Sequence, residues 1–122
     1  MSKAGKSVFV FGLYLVVLGL TLVAAPNFLL AAFGLPTTSE VWIHVVGVLV
    51  LYLAFYLIQT ARKGLTDFFR WTVYTRSTLV VFFVVFVLLS LAKPPLIMFG
   101  VVDLLGAIWT GLALRTVKTK TA

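Results

Sequence analysis

Four apolar runs dominate the sequence, over residues 8–25, 41–60, 71–92 and 96–114. Each is close to the ~20 residues that a helix needs to cross the hydrocarbon core of a bilayer. In lipid every backbone amide must find its partner within the protein, so only helices or closed barrels can span it. These runs are too long for barrel strands and do not alternate in polarity. The expected fold is therefore all-α: an integral membrane four-helix bundle, up-down-up-down, in a single transmembrane domain over residues 1–122.

Composition agrees. The chain is 62% hydrophobic and only 11% charged, too little polar surface to cover a water-soluble core of this size. It has no cysteine, which excludes disulfides, thiolate catalysis and cysteine-bound metal clusters. The formal net charge is +7, but the basic residues lie between the apolar runs. That placement points to anionic lipid headgroups and not to nucleic acid.

The distribution of those cations predicts the threading. Lys3 and Lys6 precede the first run. Arg62, Lys63 and Arg70 lie between the second and third, and Arg115, Lys118 and Lys120 follow the fourth. The opposite connections hold Lys93 alone. The positive-inside rule then puts both termini in the cytoplasm, with the chain multi-pass in the cytoplasmic (inner) membrane. Trp71 and Tyr74 mark the inner interface and Trp42 the outer one. The first run exceeds the usual apolar stretch of a signal peptide, and Pro26 sits badly after the Ala24-Ala25 pair, so it reads as a retained helix.

The connections carry recognisable punctuation. In "ARKGLTD" Gly64 can close the second helix and Asp67 can cap the third. Lys93-Pro94-Pro95 breaks the chain before the fourth. The outer link "PNFLLAAFGLPTTSE" holds a short apolar segment over about 26–36 that Pro26 opens and Gly34 can end. It is too short to span and belongs in the interface.

Ionisable residues inside spans are the strongest pointers to function, because an acid at a helix centre costs about 3 kcal/mol on insertion scales. Asp103 is the leading candidate. It lies ~10 Å below the outer edge of its helix. Gly100, Ala107, Thr110 and Gly111 share its face, and small residues let helices approach closely in a membrane. The bland alternative is a structural hydrogen bond. His44 lies at nearly the same depth on the antiparallel second helix, so the two could pair. Its alternative is an interfacial histidine facing headgroups. Glu40 lies one turn above His44, but "TTSE" also fits a capping box with Thr37 at the cap. Arg76, early in the third helix, can snorkel its head toward the inner headgroups. A direct bridge from Arg76 to Asp103 is strained by their difference in depth. Gly12 and Gly19, with Tyr14, read as a packing face of the first helix.

No nucleophile motif, nucleotide loop or metal signature is visible, which gives no catalytic residue, no metal ligand and no cofactor, and ranks an enzyme on a lipid-soluble substrate last. The leading expectation is a binding or assembly module with a lipid or small apolar ligand in an outer-half pocket near Asp103 and His44. The alternative is a proton-coupled transporter or channel protomer using Asp103. A bundle this small encloses little, which mildly favours homo-oligomers.

Four short helices with "FGLYLVVLGLTLVAAP" opening the chain resemble the layout of small bacterial membrane proteins of the DoxX-like kind. The Gly-x-x-Lys-Leu ending of helix 1 common in that group is missing. The resemblance implies a four-helix membrane fold and carries over no ligand or site. Small multidrug transporters share the helix number, but usually place an embedded Glu in helix 1, where this chain has no acid.

Overall fold

A computed structural model describes the backbone of residues 1–121 and the side chains of residues 1–115. It contains the helices α1 (Lys3–Ala24), α2 (Pro26–Ala32), α3 (Trp42–Lys63), α4 (Thr66–Leu88) and α5 (Leu96–Thr121), and no strand among the described residues. The apolar parts of α1, α3, α4 and α5 are each long enough to cross a membrane, and successive spans run antiparallel. The side chains of Lys118 and Lys120 lie outside the described residues.

The helices extend beyond the apolar runs, because apolarity marks where a helix meets lipid and not where it begins. Thus α1 starts at Lys3, where the Ser2 hydroxyl accepts the Gly5 amide at 2.9 Å. The start of α4 at Thr66 leaves Asp67 inside the first turn, facing Arg70 at 3.5 Å. Asp67 therefore does not cap this helix; Leu65 occupies the cap position without a side-chain bond. The carboxylate still suits the positive end of the helix dipole. The end of α4 comes at Leu88, earlier than the apolar run suggests, at a turn in which Ser90 has φ 60°.

Two glycines act through their backbone. Gly64 ends α3 in the left-handed conformation, at φ 68° and ψ 38°, with its amide donating to Ala61 and Thr60. Gly34, at φ 71°, turns the chain after α2, and Pro26 occupies the first turn of that helix. The capping box at Thr37 and Glu40 does not form. The Glu40 amide instead donates to Thr38 Oγ1, while the Thr38 amide donates to Asn27 Oδ1. These bonds fold the link across α2, so helicity resumes only at Trp42.

Packing centres on α1. It packs along both α3 and α5, with a lighter contact to α4, and α4 packs along α5. Sequential α3 and α4 form no extended contact. The α1–α3 seam is built from two small-residue series with a seven-residue spacing. Gly5 faces the Ala61 carbonyl, Gly12 faces that of Ala54, and Gly19 faces that of Gly47. A seven-residue repeat keeps one face turned toward its neighbour, and the missing side chains let the backbones close. The α4–α5 seam closes in the same way at Gly100, where a Cβ would lie 2.8 Å from Val80 Cα.

These distances rank the glycines. A Cβ on Gly47 would meet the Val23 backbone nitrogen at 2.9 Å, whereas one on Gly111 meets only Val73 Cγ1 at 3.8 Å. Gly47→Ala is expected to destabilise the protein in detergent by about 1–3 kcal/mol, the usual cost of overpacking, and Gly111→Ala to be near neutral. Thermal unfolding followed by circular dichroism checks this; equal losses would contradict the assigned seam.

Candidate functional site

The polar interior of the protein gathers around Arg76. Its neighbours on α1 and α5 leave room for it: a Cβ on Gly106 would lie 3.1 Å from Arg76 Nη1 and 3.0 Å from Phe11. Arginine side chains in a helix lean toward its N-terminus, and this one runs back along α4 to Thr72. Nε donates to the Thr72 carbonyl at 3.2 Å, and Nη2 donates to Thr72 Oγ1 at 3.1 Å and to Thr110 Oγ1 at 2.8 Å. Thr110 Oγ1 in turn shares a hydrogen bond of 2.7 Å with Ser7 Oγ. Below the guanidinium lies the Phe11 ring, with its centroid 4.8 Å away. One cation thus ties α1, α4 and α5 together.

Arg76 is only 6% exposed, so it does not snorkel to the headgroups. Its stem points toward the start of α4, as a snorkelling arginine's would, but Thr72 and Thr110 hold the head inside the bundle. Burying a guanidinium is tolerable here because hydroxyl oxygens and an aromatic face replace part of its hydration. The replacement is incomplete. Nη1 is buried and has no hydrogen-bond partner among the described residues. Asp103 is half-buried one helical turn beyond Gly106, within electrostatic reach of both Arg76 and Tyr14. No hydrogen bond or ion pair within 4 Å reaches its carboxylate among the described residues.

His44 and Asp103 are not brought together. They stand on α3 and α5, which form no extended contact with each other. His44 donates from Nδ1 to the Val23 carbonyl at 2.8 Å, in the last turn of α1, where carbonyls lack helical partners. Equal depth on antiparallel helices was the reason to pair them, and depth alone does not say which helices touch. Glu40 is exposed on the link before α3. The groove between that link and the α4–α5 turn is lined by residues that include Leu35, Thr38, Ile43, Leu91 and Lys93, and by neither His44 nor Asp103. Among the described residues no three His, Cys, Asp or Glu side chains gather as a metal site.

The residues that sequence reasoning passed over are Ser7 and Thr72, with Phe11 as the aromatic floor. Thr72 carried a signal, since it precedes Arg76 by one turn on the same face. Ser7 carried none, because nothing in its own helix points to Thr110. No protein-family model matches the chain, and no curated protein or solved structure matches it.

Thr110→Val keeps the shape of the side chain but removes one hydrogen bond from Ser7 Oγ, which keeps the Ala4 carbonyl, and one from Arg76 Nη2, which keeps Thr72 Oγ1. An expected loss of about 1–3 kcal/mol follows from losing two buried hydrogen bonds, one of them to a charged group. Combining it with Arg76→Met should cost less than the sum of the single changes, since the pair shares one network. Additive unfolding free energies in detergent would show that the two side chains do not interact.

Proposed function

We propose that the protein is a membrane-embedded binding module whose centre, at Arg76 and Asp103, takes the polar head of a lipid or small apolar ligand. The observation that carries this reading is Arg76 Nη1, unpartnered among the described residues, beside Gly106, with the Asp103 carboxylate, unbonded among those residues, one turn from Gly106 on α5. The first group calls for an acceptor and the second, when ionised, for a donor. A head bearing a hydroxyl or amide supplies both, while its apolar body stays in the bilayer. Tyr14 and Asp103 are each half-buried, which suits a ligand head entering beside the guanidinium. This replaces an outer-half pocket shared with His44 by a site deeper in the bundle.

A second reading keeps a specific observation behind it. Tyr14, Arg76 and Asp103 are ionisable, lie inside spans and interact electrostatically. Such clusters serve proton relays in transporters, so Asp103 exchanging a proton during turnover is the alternative. The cation asymmetry supports a cytoplasmic membrane location with both termini inside. The DoxX-like layout fits a small membrane protein of this kind and names no ligand.

The test is native mass spectrometry of the protein extracted from its membrane, followed by proton flux in proteoliposomes. Binding predicts a bound amphiphile on the wild type that Asp103→Asn loses while its unfolding temperature is kept. The proton reading predicts flux under a pH gradient that the same variant abolishes. A wild type with neither bound amphiphile nor flux would overturn both.

A further inference from the structure

At the end of the bundle where α1 begins, a groove of about 270 Å³ lies between α1 and α5. Its lining is of two kinds. Lys3 and Lys6 come from the first turns of α1, and Trp109, Leu112 and Ala113 from α5. The two lysines are exposed, and among the described residues no acidic side chain pairs with either. Ala113 is buried at the floor, while Trp109 is about half exposed, at 47%.

This combination matches one chemistry. Lysines beside an apolar wall offer charge to an anion and contact to a chain at once. A soluble anion would use only the lysines and leave the apolar wall wet. Trp is at home where a membrane passes from hydrocarbon to headgroup, and here it sets the level of the groove. The chain carries ten Lys and Arg against three Asp and Glu, a balance that favours an anionic partner.

We propose that this groove is a binding site for one anionic phospholipid of the leaflet that meets the termini. Its phosphate lies between Lys3 and Lys6, and the start of an acyl chain lies against Trp109 and Leu112. The site is separate from the Arg76 centre and stands or falls independently of it. Its role is to fix α1 and α5 at the membrane surface on the side of the termini.

The chain has three tryptophans, which allows a direct test. With Trp42→Phe and Trp71→Phe, only Trp109 remains to report. The protein is placed in phosphatidylcholine vesicles containing a minor share of brominated phosphatidylglycerol, and then in vesicles with the same share of brominated phosphatidylcholine. The proposal expects quenching by the anionic lipid equivalent to a local enrichment of about 5-fold or more, the scale of a single lysine near a charged surface. Lys3→Gln with Lys6→Gln should return quenching to the level of the neutral lipid, while the circular dichroism spectrum is unchanged. A protein retaining only Trp42, at the opposite end, should show no enrichment. Equal quenching by the two lipids in the wild-type lysine background would overturn the site. So would an enrichment that survives loss of both lysines.

Discussion

The arrangement depends on a single buried guanidinium. Left in hydrocarbon without partners, Arg76 would cost several kcal/mol. The fold surrounds it with Thr72 from its own helix, Thr110 from α5 and the Phe11 face from α1. Lipid solvates apolar side chains as well as another helix does, so ordinary burial gives helices little reason to associate in a membrane. Hydrogen bonds to a charge that lipid cannot satisfy supply that reason. They also supply register, because Thr110 and Ser7 meet only when α5 and α1 stand at one relative height.

Close packing does the complementary work. The seven-residue series on α1 and α3 brings two backbones together without polar side chains, and Gly100 does the same between α4 and α5. The protein is two tightly joined helix pairs, with α1 also packed on α5, where the buried polar network crosses. Phe11 shows how the two devices meet. It approaches Gly106 on α5 and covers the guanidinium from α4, so a larger residue at position 106 would disturb both. Among the described residues, Nη1 of Arg76 and the carboxylate of Asp103 stay unmatched beside this network, and the proposed activity is assigned to them.

The number and order of the spans were legible from apolar run length, and the ends of α2 and α3 from Pro26, Gly34 and Gly64. These are local signals with direct backbone causes. Asp103 and Arg76 were legible as candidates because charge in a span is rare. Their surroundings were less so. Depth along each helix suggested His44 for Asp103, but partner choice depends on which helices touch, and glycine series on two distant segments decide that. Snorkelling was the reasonable expectation for an arginine near a helix start. It fails because Thr110 and Ser7, distant in sequence, arrive at the same point and offer the head an acceptor before it reaches the interface.

The state of Arg76 is therefore the quantity to measure. Nuclear magnetic resonance of the protein in detergent micelles, labelled with ¹⁵N arginine, reports the Nε–H proton of each arginine. A guanidinium held under Thr110 and over the Phe11 ring should give a slowly exchanging Nε–H, shifted by the ring, and Phe11→Leu should remove the shift. A rapidly exchanging, unshifted Arg76 resonance, like those of Arg62 and Arg70 at the surface, would contradict the account.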